Sequence, residues 1–312
     1  MLFFAKNKIE PDFFFVRGAG KSGTSWIMNI LNLHPEIECR AEFYFDRIKK
    51  PLDDLTGSYL SLLHKNIEVK KEAEIAFENL VKKCMLSAVE SDSKKKFKLV
   101  GEKTPGELEP FLLNNKKSIL IIRDGRDVLV SCAYHSLRLG GRGPDHLYPE
   151  FVKKIQFFKE DKRHFLKNKK DLLSDEDWFR TYVRYWNNNI KNNLETIKKL
   201  KLGLLPAKVH VVKYENLYVN FESEKNKLYN FLGVDPRKAL STDSFSMPGF
   251  DMEHKENPTS HYRKGIVGDW KNYFTEENVR WFKEEAGDAL INLGYEKTNE
   301  WKNVSKNHIY KY

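Results

Sequence analysis

The chain has 312 residues, and its 54 lysines and arginines against 44 aspartates and glutamates give a formal net charge of +10. The length fits one large α/β domain or two small ones, and a hydrophobic content of 40% is ample for a core. The charge favours anionic ligands, but the lysines are scattered among helices and loops, which argues against a nucleic-acid-binding arm. We therefore predict no nucleic-acid partner.

Cysteine usage and hydropathy indicate the compartment. Cys39, Cys84 and Cys132 are far apart and odd in number, so neither a disulfide framework nor a Cys-x-x-Cys metal site is supported. Every apolar stretch falls short of the ~20 residues of a membrane span. Residues 1–6 leave no room for a signal peptide before the first strand. We predict a cytoplasmic protein without a membrane span.

The first predicted elements are a strand at residues 13–16, a glycine turn, and a helix marked by the spacing of Ile27, Ile30 and Leu31. Glycines let the turn approach a ligand closely, and the N–H groups that open the helix carry a partial positive charge. A lysine and three hydroxyls complete a predicted cradle for a phosphate-like anion. The cradle residues are Gly18, Gly20, Lys21, Ser22, Gly23, Thr24 and Ser25.

The length of this turn restricts the anion. A Walker A loop, Gly-x-x-x-x-Gly-Lys-Ser/Thr, opens with a glycine, and here the matching position is Phe15, inside the strand. The turn is therefore too short for an ordinary nucleoside-triphosphate loop, and Trp26 indicates a flat partner such as a purine ring. An ordinary strand-to-helix turn with a solvated lysine is the alternative.

Strands and helices alternate along the rest of the chain. Apolar runs predict three further strands, at residues 97–101, 118–123 and 209–214. Helical spacing predicts helices over 51–95, 128–136, 178–200 and 275–293, with Asp127 and Thr275 as N-caps. Residues 137–177 contain Gly140-Gly-Arg-Gly-Pro144 and many charges, which is typical of a partly helical excursion that forms a lid or an acceptor wall.

This alternation predicts the fold class. Strands separated by helices imply a parallel sheet with right-handed crossovers, and ligands gather at the carboxyl ends of its strands. We predict an α/β fold in a single domain over residues 1–312, with a core of about 10–295, a central parallel sheet flanked by helices and a P-loop-like turn. Every chemically active cluster follows a predicted strand, and this agreement is stronger evidence than any one motif.

Three blocks of the sequence resemble the sulfotransferase family that uses 3′-phosphoadenosine 5′-phosphosulfate, PAPS. Lys21-Ser-Gly-Thr-Ser-Trp26 is similar to its 5′-phosphosulfate loop. Arg123 and Ser131, with Asp127-Val128 between them, resemble its 3′-phosphate element. Arg263-Lys-Gly-Ile-Val-Gly-Asp-Trp-Lys-Asn-Tyr-Phe-Thr275 resembles its nucleotide-clasping loop. The blocks occur in the family's order and cover most of the chain.

The resemblance implies a nucleotide site and its product, 3′,5′-bisphosphoadenosine, PAP. Arg123 and Ser131 would hold the 3′-phosphate, since an arginine fork fits its oxygens. An ion pair with Asp124 or Asp127 is the alternative for Arg123. Further implied contacts come from Arg263, Lys264 and Gly265. The resemblance also implies that Trp26 stacks on the adenine and that Tyr214 lies near the base, with a place in the core as the alternative for Tyr214. Phe245 or Phe250 would complete the adenine pocket.

Sulfuryl transfer builds negative charge on the bridging oxygen and the departing nucleotide, so it needs cations there and a base near the acceptor hydroxyl. Lys21 is the candidate for the bridging oxygen, and Lys103 for the transferring sulfonate or the acceptor side. The transferred group is a monoanion among lysines, and the sequence contains no metal-ligand cluster, so we predict no metal.

The base is where the chain departs from part of the family. Small-molecule members carry Lys-Thr-His after the second strand, whereas this chain has Lys103-Thr-Pro105. Glu102-Lys-Thr-Pro105 is more like the carbohydrate-modifying branch, in which a glutamate after the first helix is the base. Glu42 resembles that position, and its flanking Phe43 and Phe45 predict a raised pKa. A surface or Arg40-paired glutamate is the alternative, and Glu102 and His135 are the other candidates for the base.

Two rival functions differ in their ligands. A P-loop kinase predicts dependence on ATP and Mg²⁺, which the misplaced glycine disfavours. A non-catalytic binder of a nucleotide or an anionic polymer predicts salt-dependent affinity without turnover. For the sulfotransferase, residues 43–95 and 137–177 are expected to shape the acceptor site, and their aromatic and basic side chains suit a phenol, an alcohol, a lipid or a sugar.

Overall fold

The computed structural model describes residues 10–62, 67–91, 93, 95–109, 116–140, 144–241 and 256–302. The strands are β1 Asp12–Arg17, β2 Ile37–Ala41, β3 Leu99–Lys103, β4 Lys117–Ile122 and β5 Lys208–Lys213. They form a five-stranded sheet in the order β2-β3-β1-β4-β5, and every neighbouring pair is parallel. The predicted fold class, a central parallel sheet flanked by helices, is confirmed.

Helices connect and cover the strands. Those of the described residues are α1 Thr24–Asn32, α2 Asp46–Leu62, α3 Ile67–Glu90, α4 Gly125–Leu139, α5 Pro149–Glu160, α6 His164–Lys167, α7 Glu176–Lys201, α8 Tyr214–Val219, α9 Phe221–Leu232, α10 Trp270–Tyr273 and α11 Glu276–Asn292. Short 3-10 helices lie at Pro144–Leu147, Lys169–Leu173 and Pro236–Lys238. Thr275 caps α11 as predicted, by accepting a hydrogen bond from the Asn278 N–H.

Alternate residues of the central strands face opposite layers, because successive side chains of a strand point to opposite faces. Ile119 and Ile121 of β4 pack with α1 and α9 in one cluster, whereas Leu120 and Ile122 pack with α4 and α7 in another. A third cluster joins Phe13 and Phe15 of β1 to α3, whereas Phe14 belongs to the cluster with α1 and α9. Gly101 of β3 permits close packing between strands, since a Cβ there would lie 2.1 Å from the Phe14 ring.

One strand was not predicted. Ile37-Glu-Cys-Arg-Ala41 has a mixed composition without a run of β-branched or aromatic residues, and it forms the edge strand β2 by pairing with β3 and packing under α3. Its burial therefore comes from tertiary contacts that periodicity does not reveal.

The predicted N-cap of α4 was wrong. The helix begins at Gly125, and the side chain of Asp124, not Asp127, caps it by accepting a hydrogen bond from the Arg126 N–H. Asp127 lies inside the first turn, where its carboxylate points away from the helix to a distant loop. The cap differs from the prediction because β4 ends at Ile122, one residue before the predicted end of this strand, and Asp124 therefore lies at the junction with the helix.

Residues 144–177 pack against the main core as a wall. Phe151, Phe158 and Phe165 are buried in the cluster that contains α4 and α7. Pro144 and Tyr148, at the start of this segment, face a large cavity. The predicted excursion thus contributes to the core as well as to the cavity, and its residues 141–143 lie outside the described part of the chain.

The strand order positions the site. Connections from β1 run towards β2 on one side, while β4 and β5 lie on the other side of β1. A topological switch point of this kind leaves a crevice at the carboxyl ends of the strands. The turn after β1 and Arg123 after β4 meet at this crevice.

Candidate active site

The turn after β1 has an unusual backbone. Lys21 adopts a left-handed conformation with φ of 68°, and Gly23, the N-cap of α1, has φ of 105°. A Cβ at Gly23 would lie 2.8 Å from Cδ2 of Tyr214, so the turn packs tightly on that ring. Left-handed residues next to a helix start aim successive N–H groups into one concavity, which is a geometry that binds anions.

The cavity beside this turn has a volume of about 760 Å³. Segments that are far apart in sequence line it together: the turn after β1, the β4–α4 junction, and a basic loop at residues 261–269. The predicted nucleotide-binding residues that face it are Gly20, Lys21, Gly23, Thr24, Ser25, Trp26, Arg123, Ser131, Tyr214, Arg263, Lys264 and Gly265. Ser22 is buried beneath the turn.

Arg123 connects the turn to the basic loop. Its guanidinium donates to the carbonyl of Lys21 at 3.3 Å and to the carbonyl of Ile266 at 3.1 Å. The guanidinium carbon lies 4.2 Å from the ring centroid of Tyr214, in a cation–π contact. Asp127 is 4.0 Å away, so an ion pair with that carboxylate accompanies these contacts.

Tyr214 belongs both to the core and to the cavity wall. Its ring packs in the core cluster with α1 and α9, and it also lines the cavity. Its hydroxyl donates to the carbonyl of Gly265 at 2.7 Å. A buried tyrosine whose hydroxyl finds a partner is stable in this position, and here the partner belongs to the basic loop.

Asp127 fastens the same loop from the other side. Its two carboxylate oxygens accept hydrogen bonds from the N–H groups of Gly268, at 2.7 Å, and Trp270, at 2.9 Å. Burial raises the pKa of Asp127 to about 7, and the two N–H donors favour its ionised form. The carboxylate therefore holds the end of the basic loop against α4.

The cations of the basic loop are paired with carboxylates. Arg263 donates to Asp269 at 2.5 Å and also to Glu256, and Lys264 donates to Asp269 at 2.9 Å. The Arg263 guanidinium lies 4.5 Å from the ring centroid of Tyr134. These contacts fix both cations at the cavity edge.

One end of the cavity is formed by a group of aromatic side chains, Trp26, Tyr214, Tyr218 and Phe221. The Trp26 ring lies 6.1 Å from that of Phe221, with an interplanar angle of 20°, and 5.1 Å from that of Tyr214. Tyr218 lines the same end. Phe245 and Phe250, the predicted further members of this end, lie outside the residues that the structure describes.

Two unpartnered polar atoms test whether an anion fits this site. The Nε of Arg123 and the Oγ of Ser22 are buried and have no hydrogen-bond partner among the described residues. Buried donors without partners cost stability, and Arg123 is a charged donor at the cavity wall. Burial, reinforced by Arg138, Lys103 and Arg123, also lowers the pKa of Lys21 to about 8. A polyanion would satisfy this surplus of donors and positive charge.

Glu42 belongs to a hydrogen-bonded chain at the other end of the cavity. Lys103 donates to one of its oxygens at 2.5 Å, and the Tyr44 hydroxyl donates to the other. The predicted raised pKa was wrong, because burial, which raises it, is outweighed by the hydrogen bonds from Lys103 and Tyr44, and the pKa of Glu42 is lowered. Arg40, the alternative partner, is 3.4 Å from Glu38 instead.

Glu102 is placed differently from the expectation. Its side chain is fully buried, accepts from Arg17 at 2.7 Å, and accepts from the Thr104 hydroxyl. The neighbouring Lys103 points to the opposite side, since successive strand residues alternate. Glu102 is thus a structural partner of a buried arginine, which is inconsistent with its alternative role as the base.

Two histidines line the cavity. One is His135 of α4, a predicted alternative for the base, and the other is His261 of the basic loop, to which the sequence assigned no role. Their ring centroids are 6.2 Å apart with an edge-to-face geometry. Burial and the nearby charge of Lys21 lower the pKa of each to about 4. The position of His261 immediately before Tyr262-Arg263-Lys264 was the signal that could have found it.

Among the described residues, no group of three or more His, Cys, Asp or Glu side chains could hold a metal ion. None of the described helices is long and apolar enough to span a membrane. Cys39, Cys84 and Cys132 are free thiols.

Comparison with protein families identifies the class. A family model described as the sulfotransferase domain matches residues 11–294, and the chain therefore belongs to the sulfotransferase family. As a member of that family it is a sulfuryl-transferring enzyme. The match favours this function over the P-loop kinase and the non-catalytic binder.

Individual relatives are distant. The chain is similar to human (Homo sapiens) sulfotransferase 1E1, at 26% identity over 288 residues, which cover 85% of this chain and 79% of that protein. It is 24% identical over 298 residues to mouse (Mus musculus) sulfotransferase 1 family member D1, and these residues cover 88% of this chain and 82% of that protein. Among solved structures, mouse SULT7A1 complexed with PAP has a TM-score of 0.47 at 21% identity, covering 92% of this chain and 86% of that one.

Proposed function

We propose that this enzyme moves the sulfuryl group from PAPS to a hydroxyl acceptor and releases PAP. One observation carries the proposal: the turn after β1, Arg123 and the basic loop line one cavity, although they are separated by more than a hundred residues along the chain. A bisphosphorylated nucleotide carries two anionic groups on its ribose and a flat base, and the cavity has cations at the turn and at the basic loop and aromatic rings around Trp26.

The residues divide according to the parts of the nucleotide. The left-handed turn, with Lys21 and the N–H groups that open α1, would hold the 5′-phosphosulfate. Arg123 and Ser131, with the basic loop, would hold the 3′-phosphate. Trp26 and Tyr214 would hold the adenine. The remaining members of these sets are Gly20, Ser22, Gly23, Thr24 and Ser25 for the turn, and Arg263, Lys264 and Gly265 for the loop.

When bound, PAPS supplies the activated sulfuryl group. Lys21 would place its ammonium beside the bridging oxygen, where negative charge develops. The pKa of Lys21 is lowered to about 8 without a ligand. An anion next to the ammonium would favour its protonated form, and the protonated form would in turn stabilise the developing negative charge. Lys103, held by Glu42, would face the transferring sulfonate.

The acceptor would enter from the opposite end, between the histidines and the wall formed by residues 144–177. This end is lined by Tyr44, Pro105, Pro144, Tyr148, Tyr182 and Tyr185. Aromatic and proline surfaces with a few polar groups suit a small organic hydroxyl compound, whether a phenol, an alcohol, a lipid or a sugar. We also propose that the chain acts as one catalytic domain without a metal, and its cytoplasmic location stays a prediction.

A thermal-shift panel tests the proposed nucleotide. We expect PAP to stabilise the protein selectively, by about 2.7 kcal/mol at a concentration 100 times its Kd, over ATP with Mg²⁺ and over heparin.

Lys21→Met should abolish sulfuryl transfer from PAPS while the fold persists. Lys153→Met is the matched control, because Lys153 is exposed and pairs only with Glu150 on α5. Stabilisation by ATP or heparin without a PAP effect would contradict the proposal.

A further inference from the structure

The proposed transfer needs a group that removes the proton of the acceptor hydroxyl. The position that carries histidine in the small-molecule branch is Pro105 here. Glu42 already accepts a hydrogen bond on each of its oxygens, from Lys103 and from Tyr44, so neither oxygen is without a donor. The base must therefore be sought elsewhere on the cavity wall.

His135 is bound in a way that defines its tautomer. A nitrogen of the Arg138 guanidinium lies 3.4 Å from Nδ1 of His135. A guanidinium has donors but no acceptor, so Nδ1 must be the acceptor and the neutral ring must carry its proton on Nε2. The lone pair of His135 is thus engaged, and the ring offers the cavity an N–H donor.

His261 differs from His135 in its hydrogen bonding. Its ring lines the cavity and makes aromatic contacts with His135 and Tyr262. Neither ring nitrogen of His261 has a hydrogen-bond partner among the residues that the structure describes. A neutral imidazole always has one nitrogen with a free lone pair. His261 therefore presents an unoccupied proton acceptor to the same space that Lys21 and Glu42 face.

The electrostatic surroundings keep this ring neutral. Burial is the largest cause, followed by the positive charges of Lys21, Arg138 and Lys103, and together they outweigh the opposing effect of the Glu42 carboxylate, so the pKa of His261 is lowered to about 4. A base must be unprotonated before the reaction, and this ring meets that condition throughout the neutral range. The charged and titratable groups that face it are Lys21, Arg138, Lys103, His135 and Glu42.

We infer that His261 is the general base of the sulfuryl transfer and that His135 donates its Nε2–H to the reacting group; this inference rests on the proposed function. In the transfer, a lone pair of the acceptor oxygen forms the new O–S bond. The bond between sulfur and the bridging oxygen breaks with its electron pair going to the leaving nucleotide, and the hydroxyl proton goes to the free ring nitrogen of His261. Lys21 and His135 supply hydrogen bonds and undergo no net change.

Two variants separate these roles. His261→Gln keeps a polar side chain but has no basic nitrogen, so we expect the rate of transfer to fall by about 100-fold or more. His135→Gln retains an N–H donor, and its rate should fall by roughly tenfold or less. His164→Gln is the matched control, since His164 lies on α6 against Phe157 and does not touch the site. Transfer from labelled PAPS would be measured to 2-naphthol, a long-chain alcohol and N-acetylglucosamine.

PAP binding distinguishes the possible failures. The His261→Gln protein should still bind PAP as the wild type does, which shows that it is folded. If the wild type transfers sulfuryl and His261→Gln does so within threefold of its rate, the role of His261 is overturned. If the wild type shows no selective binding of PAP, the proposed function itself is overturned.

An acceptor-independent measurement completes the test. In protein with ¹³C-labelled histidine, the ring signal that disappears in His261→Gln identifies the residue. We expect this signal to show a neutral ring between pH 6 and pH 8 (about the range in which free histidine titrates) with PAP bound. A ring that is still protonated at neutral pH would overturn the inference, even if every acceptor in the panel were unreactive.

Discussion

The hydroxyl of Tyr214 donates a hydrogen bond to the carbonyl of Gly265 at 2.7 Å. This contact joins the residue after β5 to the basic loop, across 51 positions of the sequence. Because Tyr214 also packs on the turn after β1, the three parts of the cavity are held in one arrangement before any ligand arrives. Preorganisation of this kind reduces the free-energy cost of binding.

Removing that hydroxyl should weaken nucleotide binding. We expect Tyr214→Phe to lower the affinity for PAP by about fivefold, since a single neutral hydrogen bond contributes about 1 kcal/mol. Isothermal calorimetry with PAP measures this effect. Tyr295→Phe is the control, because Tyr295 also loses the hydrogen bond of its hydroxyl, here to the carboxylate of Glu215, and Tyr295 does not line the cavity. Equal losses of affinity in the two variants would show that the tether has no special role.

Arg123 should account for recognition of the 3′-phosphate. We expect Arg123→Lys to weaken binding of PAP by about tenfold or more, since a lysine cannot reproduce the bidentate fork. Binding of adenosine 5′-phosphate, which lacks the 3′-phosphate, should change much less. The comparison requires the Kd of both nucleotides for both proteins. An equal loss of affinity for the two nucleotides would show that the effect comes instead from the contact between Arg123 and the basic loop.

Activity should depend on pH in a bell shape. The value of kcat/KM reports groups of the free enzyme, so it should fall below a pH of about 4, where His261 becomes protonated. It should also fall above a pH of about 8, where Lys21 loses its charge. Lys21→Arg, which stays charged, should remove the alkaline limb, and an unchanged limb would assign that titration to another group.

Glu42 should act through Lys103. Its pKa is lowered, so it is ionised across the neutral range and its hydrogen bond to Lys103 persists there. We expect Glu42→Gln to reduce the rate by roughly tenfold, through loss of a charge-assisted hydrogen bond, without moving the acid limb of the pH profile. Disappearance of that limb in Glu42→Gln would instead make Glu42 the base.

The sheet offers a test that is independent of the site. A Cβ at Gly101 would lie 2.1 Å from the Phe14 ring, so Gly101→Ala should destabilise the protein by about 1–3 kcal/mol. At Gly57 of α2 a Cβ would meet nothing within 4 Å, and Gly57→Ala should stabilise by about 0.5–1 kcal/mol. Urea unfolding measures both changes, and equal effects would contradict the packing of β1 on β3.

The sequence alone determined the elements whose cause is local. A run of phenylalanines, a glycine turn and helical spacing specify β1, the cradle and α1 within twenty or so consecutive residues, because backbone preferences and periodicity act over that range. The same holds for the capping of α11 by Thr275. The three blocks that resemble sulfotransferases were visible for the same reason, since each is a short contiguous stretch.

Only the tertiary structure decided the rest. Asp127 was taken for a helix cap, but its carboxylate binds Gly268, 141 positions away. The flanking phenylalanines of Glu42 predicted a raised pKa, but Lys103, 61 positions away, reverses the shift. His261 precedes Tyr262-Arg263-Lys264 in the sequence, but only the fold places its ring beside that of His135 at the cavity. Hydrogen-bond partners and pKa shifts depend on distances in space, which a linear chain does not contain until it folds.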